Sequence, residues 1–263
     1  MTAPAVSVLI PTFNCLPYLR HALASVSAQT YRDFEIVVVD DGSSDGTAQW
    51  LARRASARLR WVRLRRNGGV PAARNIALKE ARGEFVAWLD HDDLWRPGFL
   101  RALLPAFRRP EVMVATSNFD IVDARGLLLA RRGIRPARTV DPVMRVVAGL
   151  GFIPLTSATI VRRTSFETLG GFDALVGEDE DLDFWYRVGS EFGAPAFHFL
   201  NRPLASYRRH AGQITAYRER AGHPWRRRAQ LLTLSASDQD KVLGVMSFTH
   251  KHRTLLDLCW GLE

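Results

Sequence analysis

Lysine is almost missing from this chain: of 36 basic residues only Lys79, Lys241 and Lys251 are lysines. An arginine excess of that kind reflects coding bias as readily as selection for a partner. The formal charge of +9 therefore does not by itself designate a nucleic-acid or anionic-membrane protein. Cysteine is scarce as well. Cys15 and Cys259 stand near opposite ends in no metal-binding or redox spacing, which excludes a disulfide scaffold or zinc module and leaves two reduced, structural thiols. No apolar run approaches the ~20 residues of a membrane span, and no charged-then-apolar segment opens the chain. Internal repeats and Ser/Gly linkers are absent too. These absences predict a cytoplasmic protein, with peripheral attachment at the inner face of the cell membrane as the membrane option. At 263 residues, 47% hydrophobic and 24% charged, the chain is long enough for a substantial core.

What is present is an alternation. Val6 to Ile10 reads as a strand stopped by Pro11, and Leu16 to Gln29 as a helix with Asn14 as its cap. Phe34 to Val39 is a second strand, Thr47 to Ala57 a helix, Leu59 to Leu64 a third strand. Asn67-Gly68-Gly69 is a turn before a helix from Pro71 to Ala81, and Phe85 to Leu89 a fourth strand. Such a β-α-β-α-β-α-β order predicts a parallel sheet with helices on both faces. Later elements are less regular: a helix over Pro97 to Phe107, strands at Val112 to Ala115 and Thr156 to Val161, and a hairpin around Asp123 to Gly126. A short helix over Thr164 to Leu169 closes at Gly170-Gly171; then come a helix over Asp181 to Phe192 and strands at Ala196 to Leu200 and Ala205 to Arg208. The arginine- and proline-rich stretch Arg131 to Pro142 reads as an exposed loop, and the residues after Arg208 as mostly helix.

Two of these strands end in acids. Phe34 to Val39 runs into Asp40-Asp41, and Phe85 to Leu89 into Asp90-His91-Asp92-Asp93. In an open α/β sheet, parallel strands deliver their carboxyl ends to one edge, where ligands bind. Clustered carboxylates call for a positive partner, and hard divalent cations bridge one or two carboxylates to phosphate. The competing structural role is helix capping, which suits Asp93 and the Ser43 to Gly46 turn. A third acid run, Glu178-Asp179-Glu180-Asp181-Leu182-Asp183, opens a helix. There acids stabilise the dipole by about 0.3–1 kcal/mol each, though their density exceeds that need.

Together Val6-Ser7-Val8-Leu9-Ile10-Pro11-Thr12-Phe13-Asn14, Val38-Val39-Asp40-Asp41-Gly42-Ser43-Ser44-Asp45-Gly46-Thr47, Ala73-Arg74-Asn75 and Leu89-Asp90-His91-Asp92-Asp93 resemble family 2 glycosyltransferases of the GT-A fold. The resemblance implies a Rossmann-like mixed, mostly parallel sheet flanked by helices. It also implies a catalytic domain over residues 1–222, divided into a nucleotide-sugar half (1–118) and an acceptor half (119–222), with a helical C-terminal extension over 223–263. Pro11, Thr12 and Asn14 would line the nucleotide pocket, Asp41 would read the base of the nucleotide, and Arg74 would lie against the base or phosphates. Asp90 would lie beside the ribose and metal. Asp92, with Asp90, would hold Mn²⁺ or Mg²⁺ in an Asp-x-Asp arrangement. Glu180-Asp181 matches the family's catalytic pair, with Asp181 as general base. His210, in Arg208-Arg209-His210, would touch the diphosphate or metal, and His91 would point away.

The resemblance further implies transfer of one sugar from a UDP-, TDP- or GDP-sugar to a saccharide or lipid-linked acceptor, with inversion. No Gln-x-x-Arg-Trp element of processive relatives occurs. Two other readings stand beside it. A nucleotidyltransferase would carry a glycine-rich basic loop after the first strand, where Pro11-Thr12-Phe13-Asn14-Cys15 stands instead. A basic binding protein would use the arginines of Tyr207 to Arg228, but acids on the sheet edge argue against nucleic acid there. Apolar residues from Leu231 to Trp260 could pack on the domain, form a homodimer contact or lie on a membrane.

Overall fold

Residues 3–131, 154–175 and 180–213 are described by the computed structural model. The expected 131–142 loop beyond Arg131, the acids Glu178 and Asp179, most of the arginine-rich run and the 223–263 extension lie outside them. The strands are β1 (Val6–Thr12), β2 (Phe34–Asp40), β3 (Leu59–Arg63), β4 (Phe85–Trp88), β5 (Leu94–Trp95), β6 (Val114–Val122), β7 (Leu128–Arg131), β8 (Thr159–Arg162) and β9 (Phe197–Arg208). The helices are α1 (Leu16–Ser27), α2 (Thr47–Ala52), α3 (Val70–Glu80), α4 (Phe99–Leu103), α5 (Thr164–Leu169) and α6 (Glu180–Phe192). Among the described residues the strands form one sheet in the order β3-β2-β1-β4-β8-β6-β9-β5, with β7 beside the far end of β6.

The first four strands are parallel, as their alternation with helices predicts. Beyond them the sheet turns mixed: β8 lies antiparallel between β4 and β6, and β9 runs parallel to β6. β1 and β2 are buried along their whole length, so both faces of each are apolar. Val8, Ile10, Ile36 and Val38 pack with Leu19 and Leu23 of α1 and Phe99 and Leu103 of α4. On the other face Leu9, Val37, Val39 and Trp88 pack with Ala73 and Ala77 of α3 and Phe184 and Val188 of α6. Full burial of each such side chain stabilises by about 1.5–3 kcal/mol.

Several boundaries differ from expectation. Pro11 does not stop β1, which continues to Thr12. β4 pairs with β1 only as far as Leu9, so the hydrogen bond that proline cannot donate has no partner strand to serve. Asn14 does not cap α1. It adopts φ 46 and its Oδ1 accepts from the Ser44 N–H at 2.8 Å, while the Leu16 N–H that opens α1 donates to Asp45 Oδ2 at 2.8 Å. The helices over 16–29 and 47–57 end earlier, at Ser27 and Ala52. That over 97–107 is only Phe99–Leu103 followed by a 3₁₀ turn through Pro105. The strand over 112–115 is the start of the nine-residue β6, which also forms the first arm of the hairpin with β7. Thr156–Ala158 is a 3₁₀ turn ahead of β8 rather than strand. The two strands over 196–208 are one, β9, whose register against β6 shifts on either side of Asn118.

Candidate active site

Because β1, β2 and β4 are parallel, Thr12, Asp40-Asp41 and Asp90 to Asp93 arrive at one edge of the sheet. Asp40 is fully buried. Its Oδ1 accepts the Ser43 N–H at 2.9 Å, and Arg63 Nε lies 3.6 Å from Oδ2. Asp41 receives the backbone N–H groups of Gly68 and Gly69 at 2.7 and 2.9 Å, one on each oxygen. Burial raises its carboxyl above the usual carboxylate range in spite of those two bonds. Asp41 thus draws the turn before α3 to the sheet edge. Thr12 Oγ1, buried at the same edge, has no hydrogen-bond partner among the described residues.

Arg74, at the middle of α3, is 4% exposed. Its Nη2 bonds Asp90 Oδ1 at 2.8 Å and its Nη1 bonds Glu180 Oε1 at 2.5 Å. Burial opposes its charge, but Asp90, Glu180 and Asp181 more than restore it. The guanidinium therefore links the acid end of β4 to the start of α6 instead of facing solvent. Glu180 is itself buried and its Oε2 has no partner among the described residues. Burial pushes its carboxyl up to about 7, with Arg74 pulling it down and Asp181 pushing it further up. Asp181 keeps partial exposure, and its Oδ2 accepts the Thr156 hydroxyl at 2.8 Å. Asp183 is held by Arg187 one turn on, at 2.7 Å.

The three acids after β4 have different surroundings. Asp92 Oδ2 lies 3.0 Å from His210 Nε2. Burial would raise the Asp92 carboxyl, but the His210 bond and the charges of His91 and His210 outweigh it and hold it low. The Tyr18 ring of α1 lies against His210 at a tilt of 46°, ring centroids 4.6 Å apart. Asp93 is not a helix cap: it is 1% exposed and its Oδ1 accepts the Arg208 N–H at 2.9 Å. Burial, with Asp92 and Asp90 beside it, lifts the Asp93 carboxyl well above the ordinary range. A helix cap would need the α4 amides, which lie beyond Pro97; the end of β9 is nearer. Arg208 adds a bond from Nε to the Asp92 carbonyl at 2.7 Å. His91 Nδ1 sits 3.2 Å from the Pro11 carbonyl, turned toward the end of β1.

Two residues without a place in the sequence reading also belong here. Thr156 and Ser157 occupy the 3₁₀ turn before β8. Ser157 Oγ accepts the Asp90 N–H at 3.0 Å, and its carbonyl accepts Trp95 Nε1 at 2.6 Å. The sole signal in the sequence is a Thr-Ser pair after Pro154-Leu155, which reads as ordinary strand. Among the described residues, no three His, Cys, Asp or Glu side chains form a ready metal cage.

A Rossmann-like mixed sheet flanked by helices is the arrangement of the GT-A fold. The fold matches the crystal structure of S. aureus TarS 1–349 in complex with UDP-GlcNAc, with a TM-score of 0.68 at 23% identity over 90% of this chain and 70% of that one. The family model described as glycosyl transferase family 2 matches residues 7–170, and the chain belongs to that family. An uncharacterised glycosyltransferase of Rickettsia bellii is 28% identical over 245 residues, 88% of this chain and 34% of its own length. The chain thus spans about a third of that relative. A Bacillus subtilis protein named as the teichuronic acid biosynthesis glycosyltransferase TuaG is 40% identical over 95 residues, 35% of this chain and 38% of that one. No described helix is long and apolar enough to cross a membrane.

Proposed function

We propose that this chain transfers one sugar, with inversion, from a nucleotide-diphosphate sugar to an acceptor hydroxyl, using Asp181 as the general base. The observation that carries the reading is the contrast within one pair. Glu180 is buried and committed to Arg74, whereas Asp181 keeps partial exposure at the start of the same helix with one oxygen tethered. Family membership and the complex of TarS with UDP-GlcNAc support a nucleotide sugar as donor, UDP-linked before GDP- or TDP-linked. TuaG, named for teichuronic acid biosynthesis, supports a saccharide or lipid-linked acceptor of polysaccharide assembly.

In this reading Thr12 Oγ1, the Asp41 carboxylate, Pro11 and Asn14 receive the nucleoside. Asp92 and Asp90 would be the residues to hold Mn²⁺ or Mg²⁺, ions that prefer oxygen donors, with His210 bonded to Asp92. When bound, such an ion neutralises charge on the departing diphosphate. Asp181 accepts the proton of the acceptor hydroxyl while that oxygen attacks the anomeric carbon from the face opposite the leaving group. One C–O bond forms as the other breaks, and the configuration inverts.

Asp181→Asn keeps size and polarity but cannot take the proton. Transfer should fall by about 10²–10⁴-fold, with nucleotide binding intact by isothermal calorimetry with UDP. Turnover near wild type would remove Asp181 from the role of base.

A further inference from the structure

We propose that Thr156 is a positioning residue: its hydroxyl fixes the orientation of the Asp181 carboxylate, and the turn that carries it ties that orientation to the acid cluster after β4. The proposal rests on the reading of Asp181 as the base.

Buried threonine hydroxyls commonly bond back to a carbonyl of their own segment. Thr156, 1% exposed, instead donates to Asp181 Oδ2, 25 residues on, at 2.8 Å. Its neighbour Ser157 accepts the Asp90 N–H, 67 residues back, at 3.0 Å. In a 3₁₀ turn successive side chains diverge by ~120°, so adjacent residues can serve partners on different sides. One three-residue turn, Thr156–Ala158, therefore holds both acid groups of the crevice. The turn is itself locked: the Ser157 carbonyl accepts Trp95 Nε1 at 2.6 Å, and the Thr156 carbonyl accepts Thr159 Oγ1 at 2.8 Å.

A hydrogen bond to one carboxylate oxygen sets the plane of the group, and with it the direction of the lone pairs that take a proton. Arg74, Glu180 and Asp90 surround the same point with charge, and to that charge Thr156 adds a directional bond on Oδ2. Proton transfer demands that alignment, and small displacements of a reacting group cost rate steeply. Nucleotide binding makes no such demand.

The test compares wild type with Thr156→Val, which keeps shape but not the donor, Thr156→Ser, which keeps the donor, and Thr156→Ala. Release of nucleoside diphosphate is followed with UDP-GlcNAc, UDP-glucose, GDP-mannose and TDP-glucose as probes. Thr156→Val should lower kcat between about 10- and 100-fold, with donor KM within about twofold of wild type. Thr156→Ser should recover to within about threefold of wild type, and in an Asp181→Asn background Thr156→Val should cost nothing more. Wild-type kcat in Thr156→Val, a loss expressed in KM, or no recovery in Thr156→Ser would each overturn the proposal. Failure of both Val and Ala variants to fold would do so too, because the hydroxyl would then be serving the fold. A wild type inert toward all four donors would instead sink the nucleotide-sugar reading beneath it.

Discussion

Glu180 is a carboxyl group held where water scarcely reaches, and its titration should be visible in the stability of the whole chain. Its ordinary value of 4.5 is raised to about 7 in the fold, burial being the largest cause. The folded state therefore binds a proton more tightly than the unfolded one. The stabilisation from that proton is complete below pH 4.5 and is lost as pH rises through 7. Glu180→Gln removes the titration, so the stability of wild type relative to this variant should decline between those two pH values, by up to about 3 kcal/mol. Denaturant melts at a series of pH values check it; a flat difference would contradict it. The residue scale is also where sequence reading reached its limit. The place of Asp41, Asp90 and Asp92 at the sheet edge is legible because a strand end announces it. The contacts of Arg74 are not, since one partner lies 106 residues away in α6. Asp93 and Thr156 were misread or passed over because their roles exist only once β9 and β8 are in place.

Between elements, the most specific join is that of α3 to the segment after α5. Asn75 Nδ2 donates to the Phe172 carbonyl at 2.7 Å and its Oδ1 accepts the Phe172 N–H at 2.8 Å. Arg187 of α6 adds bonds to the Leu169 and Gly171 carbonyls, both at 2.9 Å. A Cβ at Gly171 would overlap Asn75 Oδ1, which explains why the Gly170-Gly171-Phe172 run and the Ala73-Arg74-Asn75 run occur in one chain. Gly171→Ala should destabilise by about 1–3 kcal/mol through overpacking. Combined with Asn75→Ala, the loss should be smaller than the sum of the two. A thermal-melt double-mutant cycle measures it, and additivity would show that the two sites are independent. The elements of the first half were largely readable, since each strand and helix is set by a local apolar period and its turn. The breaks in reading fell where long-range pairing overrides local signals. Asn201-Arg202-Pro203 punctuates the sequence like a loop, yet β9 runs through it because β6 and β5 flank it.

At the scale of the molecule, a parallel half carries the proposed nucleotide pocket, and a mixed half beyond β4 carries the proposed base. The parallel half follows from alternation along the chain. The insertion of β8 between β4 and β6 does not, because it depends on pairings such as Phe85 with Arg162. A nucleoside diphosphate that binds the folded chain stabilises it by about 2.7 kcal/mol at a hundredfold excess over Kd, a rise of about 5–10 °C in a domain of this size. Among UDP, GDP, TDP and CDP one should give such a rise, larger with Mn²⁺ than without. Asp92→Asn should abolish the Mn²⁺ increment while keeping the metal-free shift. No response to any of the four in thermal-shift measurements would count against the proposed function.

The two-residue strand β5 follows directly on the acid cluster, and its partner in the sheet is β9, through Leu94 with Ser206 and Trp95 with Ala205. During synthesis, then, the residues after Asp93 have nothing to pair with until more than a hundred further residues have left the ribosome. The parallel strands β1 to β4 pair among themselves without β9. The carboxylates of Asp92 and Asp93 gain Arg208 and His210 only when β9 slots in beside β6. A nascent chain lacking that strand would leave Asp92 and Asp93 without the partners that surround them in the fold.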